Sequence, residues 1–115
     1  MPKRIEKVNE MFKRELAHIL HQHFLSVEEG LVTVTQVKTA TDLKDATVWV
    51  SVLGADADQV IEDLQKKAWE IRSLLKERKL TLRYLPNLHF KVDRTAEKAA
   101  RIEELLKEVK KEKNS

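Results

Sequence analysis

The residues best suited to chemistry form a basic and aromatic pattern on one predicted helix. Gln65, Trp69, Arg72 and Lys76 project within about 60° of one another at 100° per residue. A planar ring flanked by two cations suits single-stranded RNA, because the ring can stack on a base while the cations contact phosphates. The same spacing also fits a tryptophan that covers the edge of the core while its neighbours face solvent. Both interpretations remain open at this point.

A second basic group lies on the first predicted helix. Lys3, Lys7 and Arg14 project within about 40° of one another, and His18 and His21 lie close to them. Cations spaced in this way present one helical face to phosphate groups. The sequence therefore predicts two local basic faces.

Residues for catalysis or metal binding are absent or badly spaced. The chain has no cysteine, which excludes disulfides, thiolate zinc sites and a cysteine nucleophile. His18, His21 and His23 do not converge at helical spacing, so they are a poor ligand set for a metal. The two glycines, Gly30 and Gly54, lie too far apart for a phosphate-binding loop or a nucleophile elbow. We therefore expect no enzyme activity, no metal and no cofactor.

Length and composition fit one small cytosolic domain. The chain has 115 residues, of which 42% are hydrophobic and 36% are charged, with a net charge of +3. That length allows a single domain, here expected over residues 1–109, followed by a basic flexible tail over 110–115. No apolar run reaches the length of a membrane span or of a signal-peptide core.

Hydrophobic periodicity changes several times along the chain. Apolar residues recur at steps of three and four in helices and alternate with polar residues in strands. The predicted elements are a helix over 2–23, strands over 31–37 and 46–53 and a helix over 57–78. They continue with an extended stretch over 80–85, a strand over 88–92 and a last helix over about 95–109. The first two strands are predicted to form an antiparallel hairpin.

The last predicted helix carries an apolar stripe, which we expect to face the core. The stripe consists of Ala99, Ile102, Leu105, Leu106 and Val109. A three-stranded sheet with one apolar face needs a cover, and three amphipathic helices can supply it. The order of elements therefore predicts a small α+β fold.

Several short motifs occur together in an order that resembles the ribosome-binding factor A family. The chain reads Arg4-Ile5-x-x-Val8, then Val37-x-Thr39-x-x-Asp42-Leu43-x-x-Ala46-x-Val48-x-Val50-Ser51, then Ile71-Arg72-x-Leu74-Leu75, and finally Leu80-x-Leu82-Arg83-x-x-Pro86-x-Leu88-x-Phe90-x-x-Asp93. Each motif alone is weak, but together they extend over residues from about 3 to 107 without large gaps.

The resemblance implies a type II KH-like fold and a bacterial cytoplasmic protein. Its partner would be 16S rRNA in the free 30S subunit, and its role would be non-enzymatic assistance to late maturation and 5′-end processing, most important in the cold. The family carries an Ala-x-Gly kink where this chain has Lys67-Ala68-Trp69. Without that glycine the middle helix is expected either to run straight or to bend through packing alone. Asp42 is interpreted as a turn former and Asp93 as a helix cap.

The predicted function is therefore RNA binding by a monomeric assembly factor. The predicted RNA contacts are Lys3, Arg4, Lys7, Lys67, Trp69, Arg72, Lys76, Lys79 and Arg83. Two alternatives stay open. The chain could be a general single-stranded RNA-binding KH-like protein, or a protein-interaction module that dimerises through its helices or a sheet edge.

Overall fold

Four helices and three strands make up the described parts of the chain. The computed structural model describes residues 2–24, 31–78 and 85–113. Its elements are α1 (Pro2–His23), β1 (Leu31–Thr39), β2 (Asp45–Leu53), α2 (Ala57–Lys66), α3 (Ala68–Glu77), β3 (Asn87–Val92) and α4 (Thr95–Lys113). The predicted order is confirmed, with the middle helix divided into α2 and α3.

The sheet has the order β1-β2-β3. β1 and β2 form the predicted antiparallel hairpin, whereas β3 joins β2 in parallel. In the hairpin turn, Asp42 Oδ1 accepts the Lys44 N–H at 3.0 Å, and Leu43 has a φ of 60°. Asp42 is thus a turn former, because a short carboxylate can hold the backbone two residues ahead of it.

The core lies between one face of the sheet and the helices α1, α2 and α3. Alternate residues along each strand are buried, as expected for a sheet covered on one side. The helices contribute one stripe each, as their periodicity predicts. The fully or almost fully buried side chains of this core include Phe12, Leu16, Ile19, Leu20, Val48, Val50, Ile71 and Leu75.

The prediction that the apolar stripe of α4 faces the core is wrong. Ile102, Leu105, Leu106 and Val109 are 49–58% exposed, and Ala99 is exposed as well. The reason is that α1, α2 and α3 already fill the covered face of the sheet. Periodicity identifies a helix with an apolar face, but it does not say whether the fold leaves room for that face.

The first residues of α4 tie it to the domain. Thr35 Oγ1 donates a hydrogen bond of 2.6 Å to Asp93 Oδ2, and Asp93 Oδ1 accepts the Thr95 N–H at 2.9 Å. These hydrogen bonds lower the pKa of Asp93 from 3.8 to about 2, and the bond from Thr35 has the largest effect. Arg94 forms an ion pair of 3.0 Å with Asp58, next to the start of α2. Asp93 therefore caps the helix and also links it to β1.

The helix α4 extends through Lys113. The flexible tail predicted over 110–115 stays a prediction. The extended stretch predicted at 80–85 lies mostly outside the described residues, since only Leu85 is included. Within residues 2–24, 31–78 and 85–113, no helix is long and apolar enough to cross a membrane.

Candidate nucleic-acid interface

The middle helix breaks at Lys67, the position that matches the kink motif. Lys67 has φ −95° and ψ 5°, and its N–H donates to the carbonyls of Asp63 (3.2 Å) and Leu64 (3.1 Å). This backbone conformation is open to ordinary residues, so the break needs no glycine. α3 begins at Ala68, and Trp69 therefore lies in its first turn. The middle helix is therefore interrupted at Lys67 and does not run on as one uninterrupted helix.

Trp69 extends into solvent from the start of α3. Its exposed fraction is 74%, so it does not cover the edge of the core. The guanidinium carbon of Arg72 lies 5.9 Å from the centre of the Trp69 ring, a cation–π distance. An exposed indole held beside a cation is a suitable surface for stacking an unpaired base.

Arg72 has a structural role that sequence reasoning missed. Its Nη2 donates to the Leu85 carbonyl at 2.9 Å and its Nε donates to the Pro86 carbonyl at 3.3 Å. Gln65, two residues before Lys67, makes a similar contact. Its amide donates to the Leu88 carbonyl at 3.0 Å and accepts the Phe90 N–H at 2.9 Å. Gln65 thus closes the outer edge of β3, and Arg72 holds the chain just before β3. Trp69 and Lys76 are exposed to solvent.

The predicted contacts Lys67 and Lys7 lie near opposite ends of α1. Lys67 lies over the Phe24 ring at 5.7 Å, so the helix break lies near the carboxyl end of α1. Arg4 and Lys7 are exposed near the other end of α1. Seventeen residues separate Lys7 from Phe24, which corresponds to about 25 Å along a helix. Lys67 therefore lies far from Lys7 along α1.

Three predicted contacts cannot be placed. The backbone of Lys3 belongs to α1, but its side chain lies outside the described part of the structure. Lys79 and Arg83 lie in the segment between α3 and β3 that is also outside the described residues. The candidate interface therefore consists of Lys67, Trp69 and Lys76, with Arg72 holding the neighbouring backbone.

The structure adds a groove that was not among the predicted sites. It lies between α1 and β1, has a volume of about 360 Å³ and is lined on the helix side by Arg14, His18 and His21. The signal was present in the sequence, because these residues belong to the basic face of α1. In residues 2–24, 31–78 and 85–113, no group of three His, Asp or Glu side chains could hold a metal ion.

Comparison with known proteins gives one consistent result. The family model for ribosome-binding factor A matches residues 4–106. The chain is 37% identical over 111 residues to the ribosome-binding factor A of Opitutus terrae, a match that includes 95% of this chain and 89% of that protein. It is 43% identical over 114 residues to that of Chlorobium phaeobacteroides, including 95% and 96% of the two chains. The chain belongs to the ribosome-binding factor A family.

Solved structures of this family share the fold. The crystal structure of ribosome-binding factor A from Thermus thermophilus superposes with a TM-score of 0.68 at 23% identity, and includes 76% of this chain and 94% of that one. A Thermus thermophilus homology model fitted into the cryo-EM map of a 30S–RbfA complex gives a TM-score of 0.64 at 25% identity, over 74% and 90% of the two chains. The fold is therefore α+β and KH-like, as the sequence motifs predict.

Proposed function

We propose that the chain is a non-enzymatic assembly factor that binds the free 30S subunit as a monomer in the bacterial cytoplasm. There it contacts 16S rRNA and assists late maturation and 5′-end processing, most importantly in the cold. Family membership supports this proposal, as does the similarity to a protein fitted into a 30S complex. The observation on which the RNA contact rests is the 74% exposure of Trp69 between Lys67 and Lys76.

The physical basis is a division of roles among these side chains. An exposed indole can stack on any base, and each such stack contributes about 1–3 kcal/mol to binding. Lys67 and Lys76 can neutralise phosphates, which releases counterions and makes the affinity fall as salt rises. Neither contribution reads base sequence strongly, so selectivity for the immature particle must come from the shape of the folded rRNA.

The test is co-sedimentation of the purified protein with separated ribosomal particles over a series of salt concentrations. We expect the parent protein to bind free small subunits better than mature ribosomes. Trp69→Ala should weaken that binding about tenfold, equivalent to about 1.4 kcal/mol. Lys76→Ala should weaken it less and should reduce the salt slope by nearly one unit. Lys44→Ala, at an exposed turn, is the matched control and should bind as the parent does.

Binding to unrelated RNAs and self-association of the free protein, measured under the same conditions, separate the alternatives. A general single-stranded RNA-binding protein would bind unrelated RNAs as tightly as the free subunit. A dimerisation module would associate with itself as its concentration rises and would be indifferent to RNA and to salt. Equal binding by the parent and by Trp69→Ala would contradict the proposed contact surface.

A further inference from the structure

β1 has an open outer edge. It is the first strand of the sheet, and among the described residues only β2 pairs with it. The Val50 carbonyl accepts the Asp93 N–H on the β3 side of β2. Backbone groups alternate in direction along a strand, so the next residue, Ser51, points toward β1, where its register partner is Thr33. The N–H and C=O groups of Val32 and Val34 therefore point outward.

A groove runs along this open edge. The α1–β1 groove of about 360 Å³ is lined on the strand side by the four consecutive residues 31–34. Successive strand residues project to opposite faces of a sheet, so four in a row can line one groove only where it follows the strand edge. A second, separate groove of about 350 Å³ lies beside Thr35, Gln36 and Val37, and Glu6 and Glu10 line it on the α1 side. An acidic ligand therefore fits only the groove beside residues 31–34.

Side chains close the sheet edges elsewhere. At the end of β1, Asn9 Oδ1 accepts the outward Thr39 N–H at 2.9 Å. On the opposite edge of the sheet, the Gln65 side chain donates to the outward Leu88 carbonyl and accepts the outward Phe90 N–H. No described side chain forms such a bond with Val32 or Val34. Open strand edges pair readily with another extended backbone, so this part of β1 is available for a ligand.

The lining of the α1–β1 groove indicates what the ligand carries. Its floor includes the buried side chains of Leu20 and Val32, and its rim on α1 carries Arg14, His18 and His21. None of the side chains that line this groove is acidic. The ligand should therefore offer apolar side chains to the floor and negative charge to the rim.

A peptide matches the edge better than RNA does. The outward groups of Val32 and Val34 comprise both donors and acceptors, and another peptide backbone supplies both in the same alternation. The phosphates of RNA only accept hydrogen bonds, and its donors, the 2′-hydroxyls and base N–H groups, do not alternate with acceptors at the spacing of a β-strand. We propose that the α1–β1 groove binds an extended acidic segment of another protein, which adds to β1 as a fourth strand. This inference does not depend on RNA binding.

Hydrogen exchange on the full chain provides the test. In the free protein, the Val32 and Val34 amides should exchange faster than the Thr33 amide, which is bonded within the sheet. The probe is a blocked peptide of about five residues with alternating glutamate and valine, long enough to lie along residues 31–34. It should slow exchange at Val32 and Val34 at least about tenfold and leave Thr33 unchanged. The same peptide N-methylated at alternate amides should give no protection.

Two pairs of variants identify the binding site. Ala17 is an exposed residue of the groove, and Ala17→Phe should fill it and weaken peptide binding about tenfold, whereas Ala100→Phe on exposed α4 should not. Arg14→Glu should weaken binding of the acidic peptide and favour a peptide with lysine in place of glutamate. Lys107→Glu, also on α4, is its control.

Several results would overturn the inference. These are no binding of the acidic peptide at millimolar concentration, binding without protection of Val32 and Val34, or equal binding by Ala17→Phe. Protection of the same amides by an RNA oligonucleotide would show that the edge binds RNA. Protection on raising the protein concentration alone would show that the edge binds a second copy of the chain. Either result would refute the proposal that the edge binds a peptide.

Discussion

Replacing Arg72 by alanine should destabilise the fold, although the sequence places this residue on a solvated basic face. The change removes two hydrogen bonds from the guanidinium to the Leu85 and Pro86 carbonyls, of 2.9 and 3.3 Å. Each bond contributes about 1 kcal/mol net at a partly exposed site, so the free energy of unfolding should fall by about 2 kcal/mol. For a domain of this size, this corresponds to a loss in Tm of roughly 8 °C.

Urea unfolding followed by circular dichroism measures this difference. Lys76→Ala is the matched control, because Lys76 is an exposed cation on the same helix and should change stability by less than about 0.5 kcal/mol. Arg72→Lys keeps the charge but loses the two-pronged geometry, so it should recover only part of the loss. All variants should share the parent m-value, which reports the surface exposed on unfolding.

The comparison also separates folding from binding. Lys76→Ala should weaken 30S binding without a loss of stability, whereas Arg72→Ala should affect stability first. If Arg72→Ala unfolds at the same urea concentration as Lys76→Ala, the two carbonyl contacts do not hold the chain before β3, and Arg72 is free to act as an ordinary RNA contact.

Three further predictions concern other contacts. Asp93→Asn should lower the free energy of unfolding by about 1 kcal/mol at pH 7. Because the pKa of Asp93 is lowered in the folded state, its carboxylate stabilises the fold above pH 3.8, and the difference between parent and variant should vanish as pH falls toward 2. A difference in urea midpoints that does not change with pH would contradict the Thr35 contact. Gln65→Ala should lower stability by about 1–2 kcal/mol and speed amide exchange at the β3 edge, and unchanged exchange there would show that the side chain does not close it. In a Trp49→Phe background, where Trp69 is the sole tryptophan, adding small subunits should quench its emission; constant emission during confirmed binding would exclude stacking.

Local patterns in the sequence predict most of the fold. The period of α1 and the alternation of β2 identify these elements because each buries one face against the core. The turn at Asp42 follows from side-chain chemistry that acts over two residues. The break at Lys67 coincides with the family kink motif, although the residue there is not glycine. The elements and the turn depend on neighbours in the chain, so one sequence is enough to predict them. The sequence leaves open whether the middle helix runs straight or bends, so the break at Lys67 needs the structure.

Features that depend on residues far apart in the sequence cannot be predicted from local patterns. Arg72 shows its charge in the sequence, but its partners Leu85 and Pro86 lie thirteen and fourteen residues away. The apolar stripe of α4 predicts an interface without saying whether the sheet still has an uncovered face. The open edge of β1 exists only because β3 pairs with β2, a choice of strand order that periodicity does not encode.

The most direct test of the central claim places a photo-cross-linking amino acid at position 69 and irradiates the protein bound to free 30S subunits. We predict cross-links to 16S rRNA from position 69 and none from the control position 44. Equal cross-linking from both positions, or cross-links from position 69 to ribosomal proteins alone, would contradict a base-stacking contact at the start of α3.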